Sequence, residues 1–221
     1  MFTPILDNQP YAYSVGKFVC VGRNYAAHAQ ELNNPIPQSP ILFIKPSDAA
    51  VNLAPTFGIP EQYGAVHHEL EIAVLIGQKL TKANLEQVRN SIAGVGLGLD
   101  LTLRDLQDQL KSKSQPWELA KAFDGACPIS HFVSVDSQFD WQDISIEMFK
   151  NNVLVQAGNS QSMLFPILPL IAHISQHFTL NPGDIIMTGT PAGVGPLAIG
   201  DHLQLGLNAL IQVESNVTLS N

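Results

Sequence analysis

Apolar residues fall mostly in short alternating or continuous blocks of four to nine positions, and runs of helical period are few. Lys17–Val21 reads as a short strand, Ile41–Lys45 as a buried one, and His67–Gly77 and Gly94–Leu101 as two longer ones. Phe149–Val155, with Asn151-Asn152 at its centre, predicts a hairpin because asparagine tolerates the positive φ of a tight turn. Gly183–Thr188, His202–Leu207 and Ala209–Val217 complete a strand-rich second half. Helices are predicted from a cap at Asn24 through Leu32, from Thr102 to about Lys111, and over Phe165–Phe178. Proline and glycine mark Asn33–Pro40 and Val51–Gly64 as loops. The order is that of a β-rich α+β fold with a few short helices, not an alternating βαβ chain. One domain over residues 1–221 is expected.

Composition narrows the partners. At 221 residues and 45% hydrophobic content the chain can bury a sizeable core. Its net charge of -8 leaves no basic face for a phosphate backbone, so nucleic acid is not an expected partner. The longest apolar stretch, Phe165–Ile174, is interrupted by Pro166 and Pro169, and Met1–Tyr13 shows no basic cluster ahead of an apolar run. Neither a membrane span nor export is expected. Cys20 and Cys127 form no CxxC, which points to a reducing, cytoplasmic setting.

The first chemical pattern is acidic. On a strand, Glu69 and Glu71 project to one side, and the segment beyond them, Ile72–Ile76, is apolar on both faces, as in a strand covered from both sides. Two carboxylates abutting such a strand need a cation or a proton between them, and ligation by oxygen alone suits Mg²⁺, Mn²⁺ or Ca²⁺ better than zinc. A solvated strand end bearing two surface glutamates would show the same spacing. In Gly94–Asp100, Gly94, Gly96, Gly98 and Asp100 share a face, so a glycine stripe ends in an acid and reads as the floor of a site, with a closely packed helix as the alternative. Arg104 and Gln107 follow on one side of the predicted helix. The arginine is suited to grip a carboxylate in a fork, or else to pair with Asp105 or Asp108 at the surface.

Other groups can handle protons or anions. His28 and Glu31 lie three apart, side by side on a helix, where a carboxylate orients an imidazole and raises its basicity; many surface helices carry such a pair without using it. Lys121 sits among apolar neighbours, and partial burial would make its ammonium a charge stabiliser, although a lysine that snorkels to solvent fits equally. Gly189 and Thr190 open a Gly-rich loop whose amides and hydroxyl can hold an anionic oxygen, but no P-loop pattern is present.

Taken in order, these segments resemble the fumarylacetoacetate hydrolase family, in particular its short members of acylpyruvase and oxaloacetate-handling type. The resemblance runs from about Lys17 to about Leu205. It rests on Gly22-Arg23-Asn24-Tyr25 with His28 and Glu31, Phe43-Ile44-Lys45-Pro46, His67-His68-Glu69-Leu70-Glu71, Asp100-Leu101-Thr102 with Arg104-Asp105-Leu106-Gln107, Lys121-Ala122-Phe123-Asp124, and Thr188-Gly189-Thr190-Pro191 with Gly193-Val194-Gly195. It implies a mixed β-sandwich roll in a homodimer, with Mg²⁺ or Mn²⁺ on Glu69, Glu71 and Asp100. It further implies that His28 and Glu31 lie on a lid that activates water and that Lys121 and Thr190 line the pocket. Arg23, Arg104, Gln107 and Gly189 join Thr190 as candidate substrate contacts. The activity implied is cleavage of a C–C bond in a small 2-oxo acid through an enolate, by acylpyruvate hydrolysis or oxaloacetate decarboxylation, or keto–enol tautomerisation. An isomerase of 2-hydroxyhepta-2,4-diene-1,7-dioate type is the alternative within the family. Outside it stand an iron oxygenase using His67 or His68 with a carboxylate and a non-catalytic module that binds a metal–carboxylate complex.

Overall fold

The computed structural model describes residues 2–220. Its framework is two mixed sheets with the main core between them. The larger runs in the order Ile41–Pro46, Lys17–Gly22, Ile185–Met187, Leu70–Ile76, Ile92–Leu99, Cys127–Ile129 and Ala50–Asn52, with Val133–Ser134 also pairing with Ile92–Leu99. The smaller runs Val153–Asn159, Ser145–Lys150, His202–Leu207, Ile211–Leu219 and Thr56–Ile59. Most neighbours are antiparallel, but Ile185–Met187 joins Lys17–Gly22 in parallel, as do Cys127–Ile129 with Ala50–Asn52 and Ile211–Leu219 with Thr56–Ile59.

Side-chain alternation explains the layering. Ile72, Val74 and Ile76 face the main core, together with Ile146, Met148, Leu203, Leu205 and the helix Ile167–His177. Ala73 and Leu75 face a second cluster with Phe18, Cys20, Phe132 and Met187. Burial on both faces of this strand is therefore as its sequence predicts. Strand Ile211–Leu219 buries Ile211, Val213, Ser215 and Val217 and turns Gln212, Glu214 and Asn216 outward. The Asn151-Asn152 hairpin forms with φ of 51° and 66°.

Several local expectations change. Asn24 caps no helix: its amide donates to the carbonyls of Thr188 and Phe165 and accepts from the Phe165 N–H, tying two distant segments together. The following helix, Ala26–Glu31, has only six residues and no side-chain cap. The next predicted helix begins at Arg104 rather than Thr102, because Thr102–Leu103 pairs with Val66–His67 as a strand. Val51–Gly64 contains two edge strands that its Pro and Gly content concealed. The helix Leu85–Ser91, closed by a capping box between Asn84 and Gln87, was legible from that pair but not expected.

The strand expected over His67–Gly77 is interrupted at Glu69. Val66–His68 belongs to a small three-stranded sheet with Thr102–Leu103 and Gly195–Pro196, whereas Leu70–Ile76 belongs to the large one. The two antiparallel pairings keep one register across the gap, Leu70 opposite Leu99 and His67 opposite Thr102, so Glu69 and Asp100 face each other at the seam. The Asp100 N–H still donates to the Glu69 carbonyl at 2.9 Å. Among the described residues no helix is long and apolar enough to cross a membrane.

Candidate metal centre and substrate pocket

The seam sets two carboxylates opposite one another, and Glu71, opposite Gly98, supplies the third from the adjoining rung. Glu69, Glu71 and Asp100 each present an oxygen within 4.8 Å of the others. All three are buried, which excludes the solvated strand end as their explanation.

Three cations converge on them. Lys121, at the end of the short helix Glu118–Lys121, donates to Glu69 Oε2 at 2.9 Å and to Asp100 Oδ2 at 2.7 Å. Arg104 pairs with Glu69 Oε1 through a short hydrogen bond. Lys45 lies 2.7 Å from Asp100 Oδ1, but it directs its hydrogens at the carbonyls of Leu101, Lys121 and Ala126. Asp100 Oδ1 consequently accepts no hydrogen bond among the described residues. Glu71 has no cationic partner there either; its Oε2 accepts only the Gly189 N–H, at 2.7 Å. Burial pushes the Glu71 carboxyl well above the usual carboxylate range, and the Asp100 charge pushes it further. For Glu69 burial acts in the same direction, but Lys121 and Arg104 outweigh it and hold the group well below that range. Lys121, which burial alone would lower, is held above the usual lysine value by Asp100 and Glu69. An unpaired buried glutamate beside an orphaned aspartate oxygen, in a set of oxygen donors only, fits a hard divalent cation.

Above this centre is a narrow, partly open pocket whose lining includes Arg23, His28, Arg104, Gln107, Lys121 and Thr190. His28 is buried, with Nδ1 at 3.3 Å from Glu31 Oε2. The other Glu31 oxygen accepts the Gly193 N–H at 3.0 Å, so the short helix is latched to the glycine loop. Arg104 and Gln107 share one helix face, joined by a hydrogen bond of 2.8 Å. Arg104 thus pairs with Glu69, not with Asp105 or Asp108.

Other expectations about these residues need correction. The glycine stripe does not floor the pocket: a Cβ on Gly96 would meet the Phe132 ring at 2.9 Å, and one on Gly98 the Met187 methyl at 2.7 Å. Its missing side chains admit apolar packing, and only Asp100 at its end reaches the site. Gly189 is absent from the pocket lining, since its amide, at φ 97°, is committed to Glu71 rather than to an incoming anion. His68 is bound to Gln156 at 2.9 Å, and neither it nor His67 belongs to the ligand cluster, so the geometry of an iron facial triad is not present there. Two residues of the site were given no role by the sequence reading. Lys45 was visible as a lone lysine in an apolar strand; Gln156, on an edge strand, carried no signal.

The sequence pattern described as fumarylacetoacetate hydrolase C-terminal matches residues 17–218. The chain belongs to the fumarylacetoacetate hydrolase family. It is 49% identical over 192 residues to oxaloacetate tautomerase YcgM of Escherichia coli (strain K12), covering 86% of this chain and 88% of that one. A crystal structure from Oleispira antarctica, of a protein provisionally named a fumarylacetoacetate isomerase/hydrolase, is 60% identical, covers 98% of this chain and 100% of its own, and superposes with a TM-score of 0.96. The fumarylpyruvate hydrolase of Pseudomonas aeruginosa, solved in complex with Mn²⁺ and pyruvate, is 31% identical, with 99% and 96% coverage and a TM-score of 0.91. The family's β-rich roll is thus the fold of this chain.

Proposed function

We propose that this family member is a divalent-metal-dependent enzyme of small 2-oxo acids, and that its principal reaction is keto–enol tautomerisation of oxaloacetate. The observation that carries the reading is the convergence of Glu69, Glu71 and Asp100 under a pocket walled by a histidine, an arginine and a lysine. The tautomerase relative, half identical over most of both chains, supports the choice of oxaloacetate. The Mn²⁺ in the fumarylpyruvate hydrolase complex supports Mn²⁺ or Mg²⁺ as the cation.

Glu69, Glu71 and Asp100 would hold the ion, which when bound supplies Lewis-acid stabilisation of the negative charge growing on the 2-oxo oxygen. The surrounding chain does the rest. Lys45, Lys121 and Arg104 offset the three acids, so a divalent ion leaves the centre positive and suited to a dicarboxylate. Arg104 and Gln107 offer a fork and an amide to the carboxylate remote from the keto group. Glu31 accepts from His28 Nδ1 and so leaves Nε2 as the base. His28 removes a proton from C3, the electron pair moves onto the 2-oxo oxygen, and protonation of that oxygen from solvent completes the enol. Breaking C3–C4 instead gives the enolate of pyruvate, with its charge on the same 2-oxo oxygen, so hydrolysis of an acylpyruvate, with His28 taking a proton from the water that adds to C4, and decarboxylation, with C4 leaving as carbon dioxide, are compatible side reactions.

The test is a panel of oxaloacetate, its enol and acylpyruvates run with Mg²⁺, Mn²⁺ and chelator. Turnover is expected only with metal and fastest in the tautomerisation assay, with Glu69→Ala abolishing all reactions and His28→Ala leaving metal binding intact. Undiminished turnover in metal-stripped protein would refute the proposal.

A further inference from the structure

Gln156 is fully buried in the edge strand of the smaller sheet and has no part in the chemistry proposed above, yet its amide is saturated. Its Oε1 accepts from the Leu70 N–H and from His68 Nδ1, both at 2.9 Å, and its Nε2 donates to Thr190 Oγ1 and to the Pro191 carbonyl, both at 2.9 Å. Two of these partners admit only one polarity: a backbone N–H can only donate and a carbonyl can only accept. The amide orientation is therefore fixed, with the oxygen toward Leu70 and the nitrogen toward Pro191. Two consequences follow from valence alone. His68 must carry its proton on Nδ1, and Thr190 Oγ1 must accept from Gln156. A hydroxyl that accepts from a buried amide keeps its own proton to donate elsewhere, and among the described residues it donates only to the Pro191 carbonyl, at a long 3.4 Å. Thr190 lines the pocket.

We propose that Gln156 is a positioning residue for the reaction: it sets the Thr190 hydroxyl as a hydrogen-bond donor to a substrate oxygen, while its bonds to His68 and Leu70 fix its own orientation. The inference rests on the functional reading above, in which Thr190 meets the substrate. Gln156 touches no reacting atom. It acts across the two sheets, from the smaller one onto the seam of the larger.

The experiment is a double-mutant cycle on the full-length protein, with Gln156→Met, which keeps length but makes none of the four bonds, and Thr190→Val, which keeps shape but has no hydroxyl. Pyruvate binding is measured by calorimetry at saturating Mn²⁺, alongside Mn²⁺ binding itself. Each single variant is expected to weaken pyruvate about tenfold, the size of one hydrogen bond to a charged acceptor. The double variant should be no weaker than either single one, with Mn²⁺ affinity unchanged within about twofold on the same scale. Multiplying losses would show that Gln156 does not act through Thr190, and a parallel loss of Mn²⁺ would reduce it to a packing residue; either overturns the inference. If Gln156→Met does not fold, ¹⁵N spectra of the wild-type protein decide the orientation: His68 protonated on Nδ1 supports it, and protonated on Nε2 alone refutes it. Wild-type protein that binds Mn²⁺ but turns over neither oxaloacetate nor acylpyruvates would instead sink the functional reading while leaving the His68 tautomer to judge the amide.

Discussion

Glu71 and Lys121 carry opposite expectations, although they stand in the same cluster. Glu71 is buried without a cationic partner, so in metal-free protein its ionised form is a liability. Glu71→Gln is expected to leave the melting temperature of metal-free protein unchanged or raised, and to weaken Mn²⁺ by more than about a hundredfold, beyond the range seen for outer-shell partners. Calorimetric titration and thermal melts check both halves, and a large drop in melting temperature would show that Glu71 is instead well paired. Lys121 bridges two buried carboxylates, and Lys121→Met leaves both short of charge. Because Arg104 and Lys45 remain, the cost falls at the lower end for a broken buried pair, about 3 kcal/mol. That corresponds to a melting temperature lowered by roughly 6–12 °C in a chain of this size. At this scale the sequence was informative where residue type limits use: three acids beside glycine and apolar strands, and a lysine amid apolar neighbours. It was silent on Gln156, because a glutamine on an edge strand is ordinary until its four partners are known.

The six-residue helix carrying His28 and Glu31 has no side-chain cap and is far shorter than a helix that is stable alone. Among the described residues its side-chain hydrogen bond to another segment is the one Glu31 accepts from the Gly193 amide. Hydrogen exchange is expected to show residues 26–31 opening far more readily than the paired strands Leu70–Ile76 and Ile92–Leu99, and Glu31→Ala should accelerate that opening and reduce activity together. Protection of this helix equal to that of the central strands would contradict this expectation. The helix was expected from a cap at Asn24 that the structure does not form. Its latch was not, since Gly193 lies 162 residues away. The break at Glu69 was likewise hidden, because a local period of two continues through it and only the pairing of each half with a different sheet reveals it.

The molecule as a whole holds its acids against one another by folding, and a cation that binds only the folded state must stabilise it. At about a hundred times its dissociation constant Mn²⁺ should add about 2.7 kcal/mol. For this chain length that is a rise of roughly 5–10 °C in melting temperature. Chelator should reverse the shift, and Glu71→Gln should abolish it; a shift that persists in that variant would locate the ion elsewhere. The β-rich class, most strand positions and the acidic triad were set by the sequence alone, because side-chain period and the scarcity of charge leave few places for a strand or a buried carboxylate to go. What the tertiary structure decided is which groups meet. Lys45 reaches Asp100, Arg104 reaches Glu69, and Gln156 reaches Thr190 across separations that no local rule spans. The glycine stripe became a packing face because Phe132 and Met187 arrive from elsewhere in the chain. Periodicity fixes the side a residue faces; only the register of two sheets across a shared core determines what faces it.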